Sequence, residues 1–84
     1  MTTAYVQLSS TSQIKDFVAH VTRLEGDFDL IAGNYVLDAK SLMGILTIDF
    51  SAPVQLKIYN DTKENVEALR PFFVSASQGG AKAE

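Results

Sequence analysis

The stretch Asp38-Ala39-Lys40-Ser41-Leu42-Met43-Gly44-Ile45-Leu46 carries the chain from a predicted strand into a short predicted helix. Ser41 stands at this junction, where a serine side chain can accept a hydrogen bond from an amide of the first helical turn. The start of a helix also favours negative charge, because its first amides have no carbonyl partners within the helix. Ser41 is therefore predicted to cap the helix and is a candidate for phosphorylation, with Lys40 beside it as a cation.

The residues that follow Ser41 are apolar, and they lie in a helix too short to bury all of them. Leu42, Met43 and Leu46 come one, two and five positions after the serine. An exposed apolar cluster beside a switchable charge would suit the docking of a partner protein. The alternative interpretation is that these side chains simply pack in the core.

The strand pattern recurs on both sides of this stretch. Every second residue is apolar in three segments, which predicts strands over 4–8, 28–32 and 54–59. Gly33-Asn34 is typical of a tight hairpin turn, so a further strand is predicted over 34–39.

Helical spacing of apolar residues predicts three helices, over 12–25, from 41 to about 47, and from about 61 onward. Ser10 and Gln13 have capping-box spacing before the first helix, and Asp61 and Glu64 have it before the last. Pro71 leaves the end of the last helix undefined, because proline cannot donate a backbone hydrogen bond.

The predicted order is βαββαβα, which at this length indicates an α+β domain. Its four strands would form one mostly antiparallel sheet, with three helices on one face and the other face in solvent. We assign this single domain to residues 1–74. Residues 75–84 lack apolar periodicity and are predicted to be a flexible C-terminal tail.

Composition excludes several classes of function. The chain has 84 residues, seven of them basic and ten acidic, with no cysteine and one histidine. The absence of a basic cluster argues against nucleic-acid binding. Disulfides, thiolate catalysis and a histidine-rich metal site are excluded, and no cofactor is expected. No signal peptide or membrane span is recognised, so a cytoplasmic location is predicted.

Enzymatic chemistry has little support in the sequence. His20 falls inside the first helix beside Asp16, where the backbone amides are already bonded, so it is predicted to be a helix-flank residue rather than a phosphoryl acceptor or general base. The carboxylates form no close pair, and neither a phosphate-binding glycine loop nor a nucleophile elbow is present. We therefore do not expect an enzyme.

From Ala39 to Leu46 the sequence resembles the HPr family, the histidine phosphocarriers of the bacterial sugar phosphotransferase system. The βαββαβα order is similar too, and the family's fold is an open-faced β-sandwich. In that family a serine at this place is phosphorylated by HPr kinase/phosphorylase, and the apolar residues after it dock onto regulators and phosphotransfer partners. The resemblance implies that Ser41 is the regulatory serine and that the partner-binding surface contains Lys40, Leu42, Met43 and Leu46, with Gln13 and Lys15.

The other half of the family's signature is missing. Phosphocarriers have a histidine at the start of the first helix, followed two places later by an arginine and then a proline. Matching the apolar faces puts Gln13 at the histidine position, Lys15 at the arginine and Asp16 at the proline. A glutamine amide cannot accept and return a phosphoryl group as an imidazole does.

The resemblance therefore implies a degenerate HPr with a regulatory rather than a relay function. Some family members similarly lack the histidine, keep the serine, and act in carbon catabolite repression by binding a transcriptional regulator. The expected partners are HPr kinase/phosphorylase and either such a regulator or another protein of the phosphotransferase system. The alternatives are a phosphoryl carrier that uses His20, and a binding module without any phosphorylation in which Ser41 is only a cap.

Overall fold

Four strands form one antiparallel sheet in the computed structural model, which describes residues 1–75. The strands are β1 (Thr2–Val6), β2 (Phe28–Ala32), β3 (Tyr35–Asp38) and β4 (Val54–Ile58). Their order across the sheet is β1-β4-β2-β3, so β1 and β3 lie at the two edges. The register places Leu56 of β4 between Ala4 of β1 and Leu30 of β2.

Three α-helices alternate with these strands in the predicted βαββαβα order. They are α1 (Thr11–Thr22), α2 (Leu42–Ile45) and α3 (Lys63–Leu69), and a short 3₁₀ turn over Arg70–Phe72 follows α3. The prediction of an α+β domain with an antiparallel four-stranded sheet and three helices is confirmed.

The core lies where the apolar faces of the strands meet those of the helices. Leu30, Leu56 and Ile58 from the sheet are fully buried, as are Phe17 and Val21 from α1. Because side chains alternate along a strand, the neighbouring residues of β2 and β4 point to the other face of the sheet and are only partly buried. The sequence predicts a strand over residues 4–8, but β1 ends at Val6, which pairs with Val54. The residue before Val54 is Pro53, which has no N–H with which to continue the ladder.

Two helices end earlier than their apolar patterns predict. Helix α1 stops at Thr22 instead of residue 25, because the next amides turn back to carbonyls three residues earlier: Arg23 N–H donates to the His20 oxygen at 3.2 Å. Helix α2 has a single turn rather than reaching Thr47. The N–H of Thr47 and its hydroxyl both donate to the Gly44 carbonyl, at 3.1 and 2.6 Å.

The last helix begins on a different cap from the one predicted. Thr62, not Asp61, accepts the hydrogen bond from the Asn65 amide, at 3.1 Å. The carboxylate of Asp61 accepts instead from the hydroxyl of Thr2 at 2.7 Å. Helix α3 ends at Leu69. Pro71, two residues later, cannot continue it because proline has no N–H to donate.

The two edges of the sheet differ. On the β1 side, Phe73 forms a single bridge with Val6, and the Val74 amide donates to the Tyr5 carbonyl at 2.7 Å. On the other side of the sheet, no described residue pairs with the outer edge of β3. The predicted flexible tail over 75–84 lies, except for Ser75, outside the described residues. Over residues 1–75, no helix is long and apolar enough to cross a membrane.

Candidate functional site

Ser41 occupies the cap position that the sequence predicts. Its backbone is extended, with φ −97° and ψ 97°, and its exposed hydroxyl accepts a hydrogen bond from the Gly44 amide at 3.3 Å. Its own amide donates to the Asp38 carbonyl at 3.0 Å, which holds the turn between β3 and α2. The hydroxyl oxygen therefore lies at the surface and makes one long, weak hydrogen bond.

The apolar side chains after Ser41 divide between core and surface. Ile45 is completely buried, and the partly buried Leu42 packs against the core. Met43 is 78% exposed and Leu46 is 42% exposed. A single helical turn cannot direct all four side chains to the same side, so Met43 and Leu46 remain in solvent beside Ser41. We call these two side chains the α2 surface.

The ammonium group of Lys40 binds a backbone carbonyl and an aromatic ring instead of Ser41. It donates a hydrogen bond to the Leu24 carbonyl at 2.9 Å, just beyond the end of α1, and lies 5.6 Å from the centre of the Phe28 ring. Lys40 is also only partly exposed. The sequence places this cation next to the serine, whereas the fold uses it to hold the end of the first helix.

The N-terminus of α1 is closed by serines. Ser10 is the N-cap and accepts from the Gln13 amide at 3.1 Å, which confirms the predicted pairing. Gln13 is the third residue of the helix, and its side-chain oxygen accepts from the amide and hydroxyl of Ser9 at 2.7 and 3.0 Å. Gln13 and Lys15 are both exposed.

Helices α1 and α2 pack against each other, which brings the two predicted segments to one side of the molecule. A shallow groove of about 410 Å³ runs beside the start of α1, between residues 8–11 and the loop that contains Ile48 and Phe50. The fold therefore places the serine-rich start of α1 and the segment after α2 side by side, although they are far apart in sequence.

His20 lies on the flank of α1 as predicted. Its Nδ1 is 2.8 Å from the Asp16 backbone oxygen and 3.9 Å from the Asp16 carboxylate. Since a carbonyl oxygen can only accept, Nδ1 carries the proton of the neutral ring and Nε2 is the free acceptor. The ring packs edge-on against Phe72, with centroids 5.2 Å apart. It also lines a groove of about 410 Å³ together with Gln7 and Gln13.

The sequence did not predict an apolar groove that lies beside β3. The groove has a volume of about 600 Å³ and lies between the hairpin end of the sheet and the loop after α2, with Tyr35, Leu37, Ile48 and Pro53 among its lining residues. The spacing of Tyr35 and Leu37 on one face of β3 was the only signal for it, and that spacing is also typical of ordinary core residues.

No group of three or more histidine and acidic side chains within residues 1–75 is placed to hold a metal ion. No family model, curated protein or solved structure matches the chain, so the resemblance to HPr stays a prediction from the residues of the sequence.

Proposed function

We propose that this chain is an HPr-like regulatory protein whose switch is phosphorylation of Ser41 and whose partner-binding site is the α2 surface. The observation that supports this function best is the position of Ser41. Its hydroxyl is exposed at the cap of α2, and Met43 and Leu46 stand exposed within five residues of it. A kinase can reach such a hydroxyl without unfolding the domain.

The phosphate would act mainly through its charge at the docking surface. Helix α2 has only four residues, so its dipole is small, and the Lys40 ammonium is bonded to the Leu24 carbonyl instead of facing Ser41. The Asp38 side chain also lies at this turn, where it accepts from the Lys40 amide at 2.9 Å. Phosphorylation would therefore add negative charge beside the Asp38 carboxylate and the α2 surface, and a partner with a basic group next to an apolar pocket would gain affinity.

A relay function is less well supported. The family's histidine stands at the start of the first helix, where the match of apolar faces puts Gln13 and where Ser10 forms the cap. Neither side chain is an imidazole. His20 is the tenth residue of α1, which puts it about 15 Å along the helix from the cap. The Asp16 carboxylate lies 3.9 Å from its Nδ1 and would repel a phosphoryl group.

The test is phosphorylation by HPr kinase/phosphorylase with ATP, followed by intact mass and peptide mapping. We expect one phosphate on the wild type and none on Ser41→Ala. Ser51→Ala, which removes another exposed serine, should be modified like the wild type. An unmodified wild type would contradict the proposal and favour a binding module without phosphorylation.

A second incubation, with phosphoenolpyruvate and the first enzyme of the phosphotransferase system, examines the relay alternative. We expect no acid-labile phosphate. Phosphate on the His20 ring that disappears in His20→Gln would favour a carrier instead of a regulator.

Binding to the transcriptional regulator of the same cell then tests the α2 surface. We expect Met43→Glu to weaken binding of the phosphorylated protein by about tenfold or more, because the charge is placed among apolar contacts. Ala19→Glu adds the same charge at an exposed position of α1 and should bind like the wild type. Equal affinity of both variants would show that the α2 surface is not the docking site.

A further inference from the structure

Within residues 1–75, nothing pairs with the outer edge of β3. The amide of Ala39 donates to the Phe28 carbonyl at 2.8 Å, and hydrogen bonds alternate along an antiparallel ladder. Tyr35 and Leu37 therefore direct their backbone groups toward β2, whereas those of Val36 and Asp38 point outward. The outward Asp38 carbonyl is used by the Ser41 amide at 3.0 Å. This leaves the Val36 amide, the Val36 carbonyl and the Asp38 amide without a described partner.

The side chains of this edge do little to prevent pairing. Proteins usually protect edge strands with lysine, proline, a bulge or a covering segment. Residues 35–38 read Tyr-Val-Leu-Asp, and the register with β2 is continuous. Tyr35 is 72% exposed and Val36 is 63% exposed, and they stand on opposite faces of the sheet.

We propose that β3 pairs with β3 of a second copy of this chain, antiparallel and centred on Val36, to form a symmetric dimer. In this register the two Val36 residues face each other and exchange both of their backbone hydrogen bonds. Tyr35 lies opposite Leu37 of the other copy, and Asn34 lies opposite Asp38. One apolar row then crosses the dimer on the open face of the sheet, since Val36 also faces Ile31 of its own chain.

Charge and shape favour this register over its neighbours. Pairing centred on Asp38 would place two carboxylates face to face, which is unfavourable. Pairing centred on Leu37 would place Val36 opposite Asp38. Centring on Val36 gives Asp38 an amide neighbour and brings Tyr35 of each copy beside Leu37, at the margin of the 600 Å³ groove of the other copy. Each copy thus supplies an aromatic side chain to the groove that its partner leaves open.

The chain's own C-terminus is a poorer occupant of this edge. Phe73 and Val74 lie against the outer side of β1, four strand spacings from β3, which is about 19 Å across the sheet. The residues after 75 are Ala-Ser-Gln-Gly-Gly-Ala-Lys-Ala-Glu, a composition with little strand propensity.

Sedimentation equilibrium of the unmodified full chain, from micromolar to millimolar concentration, tests the dimer independently of Ser41 phosphorylation. We expect the mass to rise with concentration from 9.2 kDa toward twice that value. Val36→Pro removes the outward amide without touching the bonds to β2, and Val36→Lys places like charges face to face; each should raise the dissociation constant by about tenfold or more. Thr3→Lys adds the same charge on an exposed position of β1 and should dimerise like the wild type.

Cysteine cross-linking tests the register, because the chain has no cysteine of its own. Val36→Cys should form a covalent dimer readily with oxidised glutathione, since facing residues of such a pair are about 5.5 Å apart. Thr3→Cys should react only as fast as random collision allows. A wild type that stays monomeric at millimolar concentration would overturn the proposal. So would a dimer that persists in both Val36 variants, or one that is lost when the chain is cut after Ser75.

Discussion

The Lys40 ammonium donates to the Leu24 carbonyl oxygen at 2.9 Å, and this bond joins the turn before α2 to the end of α1. It satisfies a backbone carbonyl in the turn that follows the C-terminal end of α1. The same bond keeps the nearest lysine away from Ser41. The cation that the sequence associates with phosphate binding therefore links the turn before α2 to the segment after α1.

Replacing Lys40 should cost stability without preventing phosphorylation. We expect Lys40→Met to lower the free energy of unfolding by about 1–2 kcal/mol, because a partly buried carbonyl loses its donor and the Phe28 ring loses its cation. Urea denaturation measures this change. Lys15→Met, at an exposed position of α1, should cost much less. If the two variants were equally stable, the Lys40 bond would be contributing nothing measurable.

The two serine caps should differ in strength. Ser10→Ala removes a 3.1 Å bond at the start of a 12-residue helix and should cost about 1 kcal/mol. Ser41→Ala removes a 3.3 Å bond from a single turn and should cost about 0.5 kcal/mol. Denaturation of both variants compares them. A larger loss for Ser41→Ala would mean that Ser41 is a structural residue first, which would weaken its assignment as a switch.

Stability should decline at alkaline pH because of Tyr59. Its hydroxyl donates to the Asp29 carboxylate at 3.0 Å, and this hydrogen bond raises the pKa of Tyr59 above its ordinary value of 10.0, with desolvation and the charges of Asp29 and Asp27 adding to the effect. The folded state therefore holds this proton more tightly than the unfolded state does. The resulting stabilisation is complete below about pH 10 and is lost as pH rises through the folded-state pKa.

Absorbance titration of the tyrosines checks this assignment. We expect Asp29→Asn to bring the pKa of Tyr59 back toward 10.0, because the carboxylate charge is removed. Tyr59→Phe should reduce the dependence of the unfolding free energy on pH in this range. A titration curve that Asp29→Asn leaves unchanged would show that the hydrogen bond does not persist in solution.

Gly26 and Gly33, which both have positive φ, should respond differently to alanine. Gly26 has φ 108°, and a Cβ built on it would lie 2.5 Å from the Cβ of Asn60. We expect Gly26→Ala to cost about 3 kcal/mol, from both backbone strain and steric overlap. Gly33 has φ 60° with no atom within 4 Å of such a Cβ, so Gly33→Ala should cost about 1 kcal/mol. Thermal unfolding of the two variants gives the comparison, and equal losses would contradict the close approach at Gly26.

Local sequence patterns were sufficient for the elements and the caps at Ser10 and Ser41. Alternation of apolar residues in β2 and β4, and helical spacing in α1, identify a buried face directly, because each repeat has its own period. Capping serines can also be recognised locally, because the hydrogen bond they accept comes from an amide only three residues away. The positions of Gln13 and Lys15 on the exposed surface of α1 follow from this periodicity as well.

Contacts between distant residues were not accessible to that reasoning. Whether the Lys40 ammonium bonds to Ser41 or to Leu24 depends on where α1 ends relative to β3. Likewise, Thr62 rather than Asp61 caps α3, because the Asp61 carboxylate accepts a hydrogen bond from Thr2. The groove beside β3 and the open edge of that strand likewise depend on the β1-β4-β2-β3 order, which brings together residues from four separate segments. The sequence therefore specified the short-range hydrogen bonds and the buried faces. The direction of the Lys40 ammonium and the exposure of β3 arose from packing, because strand order is set by the combined burial of all the apolar faces and not by any one segment.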